Sequence, residues 1–143
     1  MIKTTYEEFL EKNGSMTYSN VGVSMLPLLR QGKDLFTVTK KGRRRCRKYD
    51  VVLYRRPPSS YVLHRIIEVR RDSYVILGDN CVKKEYGITD KDILGVMTSF
   101  VRNGKTHSVD ETWYKLYSHI WVDFADCRIL IKKAKMKVYR LLK

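Results

Sequence analysis

Among the residues of this chain whose types could do covalent chemistry, Ser24, His64 and a pair of carboxylates, Asp79 and Glu85, stand out. Ser24 sits in Val21-Gly22-Val23-Ser24-Met25-Leu26-Pro27, between a preceding glycine and a following proline. Such a serine ordinarily marks a turn, and a backbone shaped by glycine and proline is also what presents a nucleophile. His64 lies in Tyr61-Val62-Leu63-His64-Arg65-Ile66-Ile67-Glu68. Strand alternation puts Val62, His64, Ile66 and Glu68 on one face and Tyr61, Leu63, Arg65 and Ile67 on the other. A strand histidine is more often structural than catalytic, yet imidazole is the side chain best matched to take a proton from serine near neutral pH. A presented serine and a strand histidine are two of the three parts of a nucleophilic site. The third would be an acid that orients the imidazole. The stretch Gly78-Asp79-Asn80, followed by Glu85, supplies two candidates.

The elements that must position these groups are mostly strands. Thr4 or Thr5, followed three places later by Glu7 or Glu8, makes a capping box for a short helix over 4–13, with Gly14 to stop it. Strands are predicted over 16–22, 34–39, 50–56, 61–70, 73–77 and 93–102, rich in Val, Ile, Tyr and Thr. Turns fall at Gly32, at Pro57-Pro58-Ser59-Ser60, at Arg71-Asp72 and at Asn103-Gly104. This pattern predicts a mainly β, α+β protein built on a curled antiparallel sheet or small barrel. From Asp110 the period changes. Trp113, Tyr117, Ile120, Phe124, Cys127, Ile131, Ala134, Val138 and Leu141 form one apolar stripe on a long helix, opened by a second capping box from Ser108 to Glu111. Lys132, Lys133, Lys135, Lys137, Arg140 and Lys143 make its end basic. The stripe packs on the sheet, lies on an anionic membrane surface, or joins a coiled coil; its tryptophan and lysines are the composition of an interfacial helix.

Composition narrows the class. The chain has 143 residues, an apolar fraction of 43% and a formal charge of +14, so it is a folded basic protein with an anionic partner. Three cysteines without C-x-x-C spacing read as reduced thiols, not a disulfide framework or a zinc site. Glu7, Glu8 and Glu11 stand where a signal peptide would be apolar, and no run of about 18 uncharged apolar residues could span a bilayer. The expectation is a cytoplasmic chain, or one peripheral to the membrane. The basic loop 40–48, KKGRRRCRK, lacks interleaved aromatics, which disfavours nucleic acid.

Taken in order, Gly22-x-Ser24-Met25-x-Pro27, Gly32-x-Asp34, Asp50-Val51-Val52, His64-Arg65 and Gly78-Asp79-Asn80 resemble the catalytic domain of the signal peptidase I family, over roughly residues 16–98. The related SOS-repressor autoproteases share the plan. The resemblance implies curled antiparallel sheets of the signal-peptidase type, in a catalytic domain expected over 1–109; the apolar period makes 110–143 an appended amphipathic helix. It also implies a serine endopeptidase that cleaves extended peptides near small residues, with no metal or cofactor. His64 matches the family branch whose base is histidine rather than lysine. By the same resemblance Ser24 is the nucleophile and its N–H an oxyanion donor, Met25 shapes the substrate floor, and Gly22 stands where some members carry a second donor serine. The family's Asp-Asp pair falls on Lys84 and Glu85, so either Glu85 or Asp79 orients the imidazole. The implied partner is a peptide or leader sequence. The alternative is a non-catalytic descendant that binds peptide or anionic membrane through its basic surface.

Overall fold

The computed structural model describes residues 5–58 and 60–142. Thr4, Ser59 and Lys143, named above in a cap, a turn and a basic run, lie outside the described residues. The chain is an α+β protein. Helix α1 (Tyr6–Asn13) is followed by β1 (Ser15–Ser19), β2 (Leu35–Lys40), β3 (Val51–Arg56), β4 (Ser60–Val69), β5 (Tyr74–Leu77), β6 (Glu85–Ile88), β7 (Ile93–Arg102) and β8 (Lys105–Ser108), then α2 (Thr112–Asp123) and α3 (Ala125–Leu141). The capping box of α1 forms at Thr5: the Glu8 N–H donates to Thr5 Oγ1 and the Thr5 N–H to Glu8.

The strands make one antiparallel sheet in the order β1-β2-β7-β3-β4-β5-β6, with β8 paired to the end of β7. Bulges interrupt the register at Thr37/Val38, Leu53/Tyr54, Ile66/Glu68 and Tyr74/Ile76, where an extra residue bends a strand and tightens its twist. Both faces of the sheet are covered. One core gathers Leu29, Val38, Val51, Leu53, Met97 and Phe100; the other gathers Val52, Tyr54, Ile66, Tyr74 and Ile76. The centre of β4 is therefore buried on both sides from Leu63 to Ile66. The bulge ends the simple alternation before Glu68, which is exposed.

Three expectations are corrected. The C-terminal stripe is carried by two helices, not one, which meet at Phe124 (φ −107°, ψ 23°). The backbone ladder continues across the break: the Phe124 N–H donates to Ile120 and the Arg128 N–H to Phe124. Helix α2 also starts later than the Ser108–Glu111 pair suggested. The Glu111 carboxylate accepts the Ser108 N–H at 2.5 Å, but Ser108 Oγ accepts from Asp110, so the pair closes a turn before the helix. Finally, β6 and β8 were not anticipated. Both are four residues long, and β6 contains Gly87 at φ +76°.

Candidate active site

Ser24 is set by the connection from β1 to β2. Gly22 adopts φ +80°, a conformation that favours glycine, and so turns the chain just before the serine. The loop is cinched from inside. Asn20 Nδ2 donates to the carbonyls of Gly22 (3.3 Å) and Leu29 (3.2 Å), and Asp34 accepts from the Arg30 backbone N–H (2.7 Å) and Nε (3.0 Å). Arg102 clamps the far side through the Leu28 carbonyl at 2.9 Å. Met25 is 1% exposed and belongs to the core beneath the turn. Its sulfur accepts the Asp79 N–H at 3.5 Å and holds two loops together from below.

The Gly78-Asp79-Asn80 turn at the end of β5 is bolted onto the serine loop. The Asn80 N–H donates to the Ser24 carbonyl at 2.8 Å, and Asn80 Nδ2 donates to the Val23 carbonyl at 3.0 Å. Gly78 is the point of closest approach. A Cβ placed there would stand 2.8 Å from the Ser24 carbonyl oxygen, 2.9 Å from His64 Nε2 and 2.6 Å from Cys81 Sγ. Real Cβ contacts are never that short, so only glycine lets the three meet. Serine loop, histidine strand and Gly78-Asp79-Asn80 turn, far apart in sequence, thus converge on one atom's worth of space. No hydrogen bond joins Ser24 Oγ to His64 among the described residues.

His64 is 6% exposed, near the middle of β4, opposite Val52 of the neighbouring strand β3. Its Nδ1 lies 3.3 Å from Tyr54 Oη and 3.8 Å from Glu85 Oε1. Burial pushes the imidazole down to about 4, helped by the Arg56 charge and only partly opposed by Glu85 and Asp79, so the ring is neutral near pH 7. Burial would raise Glu85, but the Arg56 guanidinium and the Tyr54 hydroxyl outweigh it and hold the carboxyl below its ordinary range. Arg56 is bound to both Glu85 oxygens. Burial and Glu85 together raise Tyr54.

The two candidate acids are thereby sorted. Asp79 does not contact the imidazole through a hydrogen bond. Its oxygens accept from Arg65 Nε (2.8 Å) and Nη2 (2.9 Å), and Oδ2 also accepts from Tyr117 (2.7 Å). Arg65 is 1% exposed and donates further to Ser118 Oγ at 2.8 Å and the Tyr49 carbonyl at 3.0 Å. Burial works against that charge, but Asp79 overcomes it and the guanidinium stays firmly protonated. Asp79 therefore anchors the loop to α2, while Glu85 is the acid beside Nδ1.

A cleft of ≈ 680 Å³ opens on His64, lined also by Arg56, Glu85, Cys81 and, from α3, Lys132 and Met136. Ser24 stands beside this cleft, across Gly78. Tyr54, Arg56 and Lys132 were missed by sequence reasoning. A signal for Tyr54 existed, since it lies two places after Val52 on the same face of β3, diagonal to His64. Lys132 gave none: its ammonium reaches Asn80 Oδ1 at 2.6 Å and the Asn80 carbonyl from 52 residues away.

Comparisons with protein-family models, with curated proteins and with solved structures give no match to this chain.

Proposed function

We propose that this protein is a signal-peptidase-like serine endopeptidase, with a fold of that type, cleaving a peptide or leader sequence at the cytoplasmic side or on a membrane surface there. The observation that carries this reading is the convergence at Gly78 of the Ser24 carbonyl and His64 Nε2, with Glu85 and Tyr54 on the other ring nitrogen. The useful tautomer has its proton on Nδ1, donated to Tyr54 Oη, whose own proton faces Glu85. Nε2 is then a lone-pair acceptor on the serine side. Ser24 Oγ attacks the scissile carbonyl while Nε2 takes its proton, and the Ser24 N–H donates to the oxyanion. The imidazolium that forms is stabilised by Glu85 and returns the proton to the leaving amine. Water then hydrolyses the acyl-Ser24 ester by the same route in reverse roles. Burial keeps the resting base neutral, as this first step needs.

A second reading has its own observation: Cys81 Sγ lines the His64 cleft and is the other nucleophile type near that imidazole. Burial raises its pKa, the opposite of what activates a thiolate. The test is to incubate a proteome-derived peptide library with wild type, Ser24→Ala, His64→Ala and Cys81→Ala, and to count new N-termini by mass spectrometry. Cleavage by wild type and Cys81→Ala, lost in the other two, supports the serine. Full cleavage by Ser24→Ala ends that reading, and loss in Cys81→Ala alone transfers it to the thiol. No cleavage by any form favours a peptide-binding descendant without catalysis.

A further inference from the structure

Helices α2 and α3 turn one side to the protein and the other away from it. At 3.6 residues per turn, Tyr114, Ser118, Val122 and Ala125 share one side, and all four are buried. Half-buried Lys132 continues that side onto the Asn80 turn. The opposite side carries Leu116, Ile120, Phe124, Ile131 and Val138, and every one is exposed; Trp113, at its start, packs edge-on against Phe100 and His107. The stripe does not taper toward the end. Ile131 is 56% exposed, Val138 55% and Leu141 76%, values that a stripe packed on the sheet would not show. At 1.5 Å per residue α2 carries it for about 18 Å and α3 for about 25 Å, far more contiguous apolar surface than scattered exposed residues make. Lys135 and Lys137 flank it, and Lys133 and Arg140 lie farther round the helix. Between Cys127 and Leu142 there are six Lys or Arg and no carboxylate. Among the described residues, no helix is long and apolar enough to cross a membrane.

We propose that this stripe docks on an anionic lipid surface, with α3 lying in the headgroup plane. Charge complementarity selects that occupant. A second copy of the chain would bring six more cations against six, on molecules of formal charge +14 each, whereas acidic headgroups neutralise the flanks while the acyl boundary takes the stripe. The docked helix would also hold the His64 cleft at the lipid surface. Lys132 and Met136, from the side of α3 opposite the stripe, line that cleft. A helix with its side chains is only about 10–12 Å across, so the cleft sits within one helix diameter of the headgroups. The inference does not rest on the peptidase reading, because binding is measured without any substrate.

The experiment is co-sedimentation of the full chain with vesicles of phosphatidylcholine alone or mixed with phosphatidylserine, across a salt series. Wild type binds the mixed vesicles and leaves them as salt rises. Removing one flanking charge (Lys135→Gln or Lys137→Gln) weakens binding about fivefold each, the factor carried by one lysine near such a surface. Ile131→Asp and Val138→Asp, at exposed positions that leave the core untouched, weaken it at least as much. An unchanged circular dichroism melt shows that each variant has folded. Equal binding to neutral vesicles, or binding indifferent to both sets of variants, overturns the proposal. So does concentration-dependent dimerisation, lost in Ile131→Asp, in a chain that ignores vesicles; the stripe is then a contact between two copies.

Discussion

Gly78→Ala is the sharpest single test of the site's geometry. Gly78 is not among the glycines at positive φ, so alanine can adopt its backbone, and the substitution would by itself stabilise by about 0.4–1 kcal/mol through the unfolded chain. Against this stands the new methyl, facing contacts of 2.6, 2.8 and 2.9 Å. Cys81 Sγ, at the end of a side chain, can rotate away. The Ser24 carbonyl cannot, because it is backbone and accepts the Asn80 N–H. Nor can His64, which is buried and paired with Tyr54. Overpacking of this kind costs about 1–3 kcal/mol, so the net expectation is a loss of about 0.5–2 kcal/mol. In urea unfolding this moves the midpoint down with m unchanged. On the proposed peptidase reading the larger effect is on the rate of cleavage. Relieving the clash pushes the serine loop and the imidazole apart, and a displacement near 1 Å costs roughly a hundredfold in rate. Gly78→Ala/Cys81→Ala removes the shortest contact and should recover part of the stability but little of the rate. A Gly78→Ala protein as stable and as active as wild type would show that serine loop and histidine do not meet there, and the reasoning would fail.

Other perturbations have definite expectations. Arg65→Met strands Asp79 without its cation in a buried site and should cost about 3–5 kcal/mol, read by the urea midpoint; a loss below 1 kcal/mol would mean that the Arg65–Asp79 bond does not hold the loop. His64 has a folded pKa of about 4 against an ordinary 6.5, so the unfolded chain binds the proton first as pH falls. Stability is then full above pH 6.5 and lost between 6.5 and 4, by up to about 3 kcal/mol, and His64→Gln should flatten that part of a stability–pH curve. For the same reason the acid limb of kcat/KM should lie near pH 4; a limb near 6.5 would refute a desolvated base. Tyr54→Phe should lower kcat roughly tenfold to a hundredfold with little change in KM and should change the His64 tautomer in nitrogen NMR. An unaltered tautomer would make Tyr54 a packing residue only.

Local rules read the fold well wherever a single local force dominates. Thr5, Glu8 and Gly14 bound α1 because caps are satisfied within one turn of helix. The long strands β4 and β7 stand out because half of the ten residues in each are β-branched or aromatic. The misses are places where tertiary contacts decide. β6 has a glycine at positive φ and few apolar side chains, and exists because β5 offers it a partner. The Ser108–Glu111 pair satisfies a capping pattern, yet His107 and Trp113 also bond to Glu111 and draw it into a turn. The phase of the C-terminal stripe was legible; its environment was not, since period alone cannot say whether an apolar face meets a sheet or solvent.

The choice between Asp79 and Glu85 was undecidable from spacing, and the reason lies in their cations. Both acids fall within the reach of one turn after β5, and both have the same charge. What separates them is which arginine each must neutralise. Arg65 occupies a strand position whose face is covered by α2, where it is 1% exposed, and an unpaired guanidinium there would cost several kcal/mol. Asp79 is the acid that meets it with two parallel bonds, and its second oxygen is also taken by Tyr117. Three of its roughly four acceptor sites are thus taken, and none of its hydrogen bonds goes to the imidazole. Glu85 also has an arginine, but Arg56 lies at the rim with 44% of its side chain exposed, so water already shares its charge. A carboxylate whose cation is partly solvated keeps field to offer a nearby imidazolium, which is why Glu85 remains the acid next to His64 Nδ1. The helix that buries Arg65, through Tyr114 and Ser118 at 49 and 53 residues downstream, thus decides which acid is left for the histidine.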